Sequence, residues 1–369
     1  MKRQLLAFAC FILIALPVAA QDDSPSWCPV TSAPVLESVA LPSIQYLGDT
    51  QIVVNYREGD DTLSTVIEAQ DAENAILSGD ARFLAYTRRV DDFNTEIWTT
   101  NVMSNASRLL VDAEDFAAMR SEENPAGYGA IQMAWIPGTH TVAFSGRVFY
   151  DGNGIFEPEP DDLWTVNAET GDISQMLAQG EGGVLSFSPD GSYAVILRRD
   201  DLLLMQPEGS DQHIIALENY QLVGAGHTSI YPPLYWEADS SGFIIALAAS
   251  PNPMGDQSDG MVEIWRIAVA DQVTTLVGSH QAYFPSFEIA PDLTKVAYWR
   301  TDRPTSNERT LIIADIAGTE AYTVISDTLL DFGGWTNDSQ HFRYRLRRDD
   351  GSEIVLLGDV CGDIPVNAP

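Results

Sequence analysis

Lysine is almost missing from this sequence: Lys2 and Lys295 are the only two in 369 residues. With arginine they make 20 basic side chains against 53 acidic ones, a net charge of −33. A surface so negative is repelled by nucleic acid and by anionic lipid, which removes both as partners. It favours solubility, above all in a salty setting where counterions screen the self-repulsion. Cysteine is scarce too, with only Cys10, Cys28 and Cys361. Long apolar runs are absent. The longest, Leu5 to Pro17, has thirteen residues, and a bilayer-spanning helix needs about 20. There is no Gly-x-Ser-x-Gly elbow, no Walker loop and no His-Glu-x-x-His, so the familiar nucleophile, phosphate and zinc motifs are excluded as starting points. Only Gly362 to Pro369 follow the last apolar strand, and no hydrolase domain is expected there.

What is present begins with an export address. Met1-Lys2-Arg3 is basic, Leu5 to Pro17 is apolar, and Val18-Ala19-Ala20 offers small residues before the polar Gln21-Asp22-Asp23. Residues 1–20 therefore read as a cleaved signal peptide, and the product as secreted or periplasmic. Loss of Lys2 and Arg3 takes the balance to 53 against 18, or −35. Cys10 leaves with the signal, and in an oxidising compartment Cys28 and Cys361 are the candidate disulfide. If they are bonded, no cysteine nucleophile remains.

Beyond residue 70 the chain repeats with a period of about fifty residues. "GHTSIYP" from Gly226 matches "SHQAYFP" from Ser279 at an offset of 53, which also carries Asp239 onto Asp292. Six segments share one plan of strand, tight turn and strand: Ala75–Arg89, Met133–Gly146, Leu185–Arg199, the runs around Asp239 and Asp292, and Gly333–Leu346. Each is followed by a third short strand, often opening acid-x-Trp, as at Glu96-Ile97-Trp98, Asp162-Leu163-Trp164 and Glu263-Ile264-Trp265. A polar turn and a fourth strand complete the unit. Four antiparallel strands per unit, with two apolar faces that only a neighbour can bury, are the requirement of a β-propeller. The expectation is all-β: a single propeller of four-stranded antiparallel blades, six of them with seven as the alternative. Its ring is closed by N- and C-terminal strands, the N-terminal one completing the last blade. The segments are residues 1–20 as signal, 21–34 as an N-terminal segment, 35–361 as the propeller and 362–369 as a tail.

"FSPDGSYAVI" and "YFPSFEIAPDLTKVAYW" resemble the WD40-like (PD40) repeat of TolB-like propellers, over roughly Ala75 to Val360. The resemblance implies architecture. In that repeat the Asp and Gly build a turn and carry no catalysis, so it transfers no catalytic residue.

Function is expected where long polar loops gather on a rigid scaffold. The repeat puts His227 and His280 at equivalent positions of adjacent blades, with Tyr231 and Phe284 four residues on, a candidate ligand-binding set at the channel mouth. Imidazoles there could bind an anion, ligate a metal or move protons, or simply order their own loops. "YDGNGIFEPEPDDLW" offers Asp151, Asn153, Glu157 and Glu159 as a calcium site, although Ile155 and Phe156 break the EF-hand spacing. The functional expectation is a non-catalytic, exported monomer binding a protein, peptide or glycan. The alternatives are a metal-assisted lyase or hydrolase at the channel mouth, or a structural envelope component.

Overall fold

The computed structural model describes residues 42–58, 61–120, 125–150, 160–217, 223–225, 228–249, 260–300, 309–327, 329–347, 351–360 and 366–367. Cys28, Cys361, His227 and the acidic set Asp151, Asn153, Glu157 and Glu159 lie outside them. Among the described residues, strands pair antiparallel with their neighbours in sequence and build six four-stranded sheets, one three-stranded sheet and a short pair, Val223–Ala225 with Thr228–Ile230. Taken in chain order, the main sheets span residues 43–68 (sheet 1, three strands), 72–111, 127–177, 184–215, 234–282, 288–327 and 329–367 (sheets 2 to 7). Sheets 2 to 7 are the six repeats of the sequence.

Two features differ from the expectation. The fourth strand of sheet 7 is Val366–Asn367, paired to Leu356 and Leu357, and comes from the C-terminal end rather than the N-terminal one. The N-terminal strands are engaged elsewhere: Ser43–Leu47, Gln51–Glu58 and Asp61–Glu68 pair with one another as sheet 1. The second difference is a helix, Ala113–Met119, between the last strand of sheet 2 and the first of sheet 3, in a chain expected to be all-β. Asp112 caps it by accepting from the Asp115 N–H, and Asp115 returns the bond to the Asp112 N–H, which satisfies two otherwise orphaned donors. Phe116 is fully buried against Phe144 at a T-shaped 5.9 Å.

The core is a series of layers between consecutive sheets. Successive side chains of a strand point to opposite faces, and the second strand of sheets 2 to 6 is buried on both, whereas His341–Arg347 of sheet 7 alternates buried residues with arginines. In Phe83–Arg89, Leu84 packs toward sheet 1, whereas Phe83 and Ala85 pack toward sheet 3. Ala194 and Ile196 face sheet 3, and Val195 and Leu197 face sheet 5. Val296 and Tyr298 face sheet 5, and Ala297 and Trp299 face sheet 7. These strands therefore read as continuous apolar runs rather than alternating ones.

The turn between first and second strands recurs with nearly the same bonds. The N–H of its first residue donates to the carbonyl five residues on, as in Ser78 to Phe83, Ser188 to Tyr193, Ala290 to Lys295 and Thr336 to His341. An aspartate at the third position accepts the N–H two residues later: Asp80 from Arg82, Asp190 from Ser192, Asp239 from Ser241, Asp292 from Thr294 and Asp338 from Gln340. The fourth residue is left-handed, whether glycine (Gly191, φ 72°) or not (Ala81 59°, Ser240 61°, Leu293 59°, Ser339 56°). Sheet 3 uses Pro137-Gly138 instead, with Gly138 at φ 75°, the Pro-Gly pattern of a type II turn.

These turns also touch their neighbours. The Asp190 N–H donates to Ser240 Oγ at 3.2 Å, and the Asp292 N–H to Ser339 Oγ at 2.9 Å. His140 Nε2 meets Asp80 Oδ2 at 2.9 Å, and a Cβ on Gly191 would come 2.4 Å from the Pro137 carbonyl oxygen. This rim is tied from sheet to sheet by its own turns.

Candidate functional site

The opposite rim carries the loops joining second to third strands. In sheet 2 that loop is Asp91–Asn94. Asp91 Oδ1 accepts from the Phe93 and Asn94 N–H groups at 2.8 Å each, and the Asn94 amide adds bonds to both oxygens. The Asn94 amide, with the two backbone N–H groups, holds the Asp91 carboxyl below the usual carboxylate range. Asn94 Oδ1 then accepts from the Tyr128 N–H at 3.1 Å, so the loop rests on the first strand of sheet 3. Two glycines make room for it. A Cβ on Gly127 would fall 2.3 Å from the Phe93 carbonyl oxygen, and one on Gly129 would fall 2.1 Å from Thr95 Oγ1.

Below the loop, between sheets 2 and 3, lies a cavity of about 370 Å³ lined by Glu73, Arg89, Asp92, Thr95, Arg147 and Phe149, among others. Arg89 is paired with Glu73. Arg147 is placed differently. Its guanidinium lies 4.4 Å over the Phe149 ring, a cation–π geometry. Among the described residues no carboxylate comes within ion-pair reach of it. Its Nε is buried without a hydrogen-bond partner, and so is Thr95 Oγ1 in the same wall. Most buried polar atoms in proteins are satisfied, so two unsatisfied ones lining one cavity mark it out.

Strand registers explain how Arg147 lost its counter-ion. Arg88 pairs across to Glu96 in sheet 2, and in sheet 3 the Phe144–Trp164 pairing puts Gly146 opposite Asp162. Arg147 thus stands where sheet 2 has Arg89. Gln132, opposite Ser145, stands where sheet 2 has Glu73, opposite Thr87. The neutral Gln132 amide is used elsewhere, donating to Ser145 Oγ and the Gly183 carbonyl and accepting from the Leu185 N–H.

Beside the cavity the acid-x-Trp motif has a structural role. The indole N–H of Trp98 donates to Glu96 at 2.7 Å, that of Trp164 to Asp162 at 3.1 Å and that of Trp265 to Glu263 at 3.1 Å. All three motifs sit at a β-bulge against the fourth strand. In sheet 2 the acid is neutralised by Arg88, 2.7 Å from Glu96 and 4.2 Å over Trp98. In sheet 3, where Gly146 has no side chain, Arg120 arrives from the helix to take that place and bonds both Asp161 and Asp162. Burial pushes the Asp162 carboxyl up from its ordinary value, against the opposing pull of the Gly146 N–H and Arg120.

The structure separates the residues singled out in the sequence. His280 is buried at 4% exposure, its ring 5.5 Å from those of both Phe287 and Tyr298, with Nε2 3.1 Å from the Ile316 carbonyl oxygen. Desolvation pushes its imidazole down toward the neutral form. Phe284 packs half-buried against the same core layer. Tyr231 packs beside the layer between sheets 4 and 5 and lines a second cavity, of about 470 Å³, with Arg198, Arg199, Asp200 and Asp201. Among the described residues these three are not gathered into one site, nor do three or more His, Cys, Asp or Glu side chains cluster closely enough to hold a metal ion. No described helix is long and apolar enough to cross a membrane. The cavity at Arg147 was not singled out in the sequence, and its signal, the change from Glu73 to Gln132, emerges only with the register.

No family model matches the sequence, and no curated protein does either. Solved structures do. A prolyl endopeptidase superposes with a TM-score of 0.55 at 12% identity, covering 87% of this chain and 47% of its own. An oligogalacturonate lyase in complex with manganese gives 0.50 at 11%, covering 84% and 86%. A TolB structure from Acinetobacter baumannii gives 0.40 at 13%, covering 86% and 76%. The chain is a β-propeller. It spans just under half the length of the endopeptidase, and identities this low carry the propeller architecture and nothing of the chemistry.

Proposed function

We propose that this propeller is an exported, non-catalytic binding protein that takes a protein, peptide or glycan on its loop-bearing rim. One observation carries the reading. The turn rim spends its polar groups on bonds between neighbouring blades, whereas the loop rim keeps a cavity walled by Arg147, which no described carboxylate pairs, with the buried Arg147 Nε and Thr95 Oγ1 left without hydrogen bonds. Export rests on the basic, apolar and small-residue pattern of residues 1–20. Screening of the purified protein against peptide and glycan arrays, followed by hydrogen-exchange footprinting of any hit, tests the reading. Protection at residues 91–94 and 127–130 is the expected result. Protection confined to the turns at 78–82 and 188–192 would overturn it. Turnover of an oligouronide or a peptide by the purified protein would favour the lyase or hydrolase alternative instead.

A further inference from the structure

We infer that the cavity between blades 2 and 3 is a binding site for a small zwitterion of amino-acid or dipeptide size, its carboxylate held by Arg147. The inference deepens the loop-rim reading and rests on it. Arg147 supplies the anion end. A guanidinium presents a planar fork of donors matched to a carboxylate, and here it is positioned over Phe149 with no carboxylate of the described residues within ion-pair reach. In a chain with 53 acidic and 20 basic residues, an arginine beside a cavity with no described carboxylate in ion-pair reach is a ready contact for a ligand's anionic group.

The rest of the lining sets the other end of the ligand. Glu73 and Arg89 neutralise each other, and Asp91 is occupied by four N–H contacts of its own loop. Asp92 is exposed in the wall, and among the described residues no basic side chain pairs with it. A simple di-anion would therefore be repelled, and the complementary ligand has an ammonium facing the Asp92 side and a carboxylate facing Arg147. The volume, about 370 Å³, sits at the low end of the roughly 300–1,000 Å³ typical of small-molecule sites, which restricts the occupant to a few residues of a peptide at most.

Isothermal titration of the full chain with glycylglycine, glycylleucine and glycylphenylalanine, each also as its N-acetyl and C-amide derivative, tests this. The expected result is binding of at least one free dipeptide, weakened at least tenfold by amidation and again by acetylation. Arg147→Met should weaken it at least tenfold while leaving the melting temperature within a few degrees, and Arg147→Lys should fall between. Phenylglyoxal supplies a reading independent of affinity: Arg147 is modified in the free protein and protected by a saturating dipeptide. No binding by any free dipeptide at millimolar concentration, equal binding of free and amidated forms, or unchanged binding by Arg147→Met would each overturn the inference. If the dipeptides fail while an array hit still protects residues 91–94, only this inference falls and the loop-rim reading stands.

Discussion

Arg120 Nη1 donates to Asp162 Oδ2 at 3.0 Å across 42 residues of chain, filling the space that the missing side chain of Gly146 leaves. Both partners are enclosed, at 5% and 1% side-chain exposure. Replacing Arg120 by Met should strand Asp162 as an unpaired buried charge and destabilise the fold by about 3–5 kcal/mol. Asp162→Asn should cost less, because Arg120 keeps Asp161. Urea unfolding of the two variants provides the comparison, and equal losses would argue against the counter-ion role.

His140 joins blade 2 to blade 3 by placing Nε2 on Asp80 and Nδ1 on Glu169. The hydrogen bond to Asp80, outweighing desolvation, raises its pKa above the ordinary 6.5. A raised folded-state value means that the stabilisation is complete below the unfolded pKa and is lost as pH rises through the folded one. Thermal stability should therefore decline as pH rises above about 6.5, the ordinary histidine value, and His140→Gln should flatten that decline. Asp80 behaves oppositely. Desolvation would raise it, but His140, Ser78 and the Arg82 N–H together bring it down to about 2, so its contribution is present above the ordinary 3.8 and fades as pH falls toward 2. Melting curves taken across both windows, for wild type and His140→Gln, check the two signs.

Ala81 holds φ at 59° in the first-to-second-strand turn of blade 2. A left-handed conformation costs a non-glycine residue roughly 1–2 kcal/mol, and the extra chain entropy of glycine offsets roughly 0.5–1 of it. Ala81→Gly should stabilise the protein by the remainder, about 0.5–1 kcal/mol. Chemical denaturation is sufficient to see it, and a destabilised variant would count against the turn assignment.

Gly127→Ala should do the reverse. Its added Cβ meets backbone, the Phe93 carbonyl oxygen at 2.3 Å, which cannot rotate away. Overpacking of this kind costs about 1–3 kcal/mol. The expected companion effect is faster amide exchange over residues 91–94, since that loop is what the methyl group displaces.

Most of the architecture was legible in the residues because its causes are local. Turn aspartates at 80, 190, 239, 292 and 338 bond the N–H two positions on, and acid-x-Trp pairs bond across two residues on one strand face. Short-range chemistry of this kind leaves a repeated pattern that can be aligned by eye. The helix Ala113–Met119 escaped notice although its cap was in plain view, because Asp115 stands where Glu or Gln is the usual signature. Sequence periodicity gave His280 an aromatic four residues on, but not the direction of its ring, which lies against Phe287 and Tyr298 rather than open to a ligand.

The amino-acid sequence by itself determined that the chain repeats a four-stranded antiparallel unit. It did so because strand periodicity, turn residues and two-sided apolar runs are properties of neighbouring positions. Only the tertiary structure decided which charges are compensated. Arg88 finds Glu96 across a strand pair, Asp162 must draw Arg120 from 42 residues away, and Arg147 has Gln132 at the register position from which Glu73 pairs with Arg89 in sheet 2. Coulomb interaction depends on distance in space, and that distance is set by register and by the packing of blade on blade.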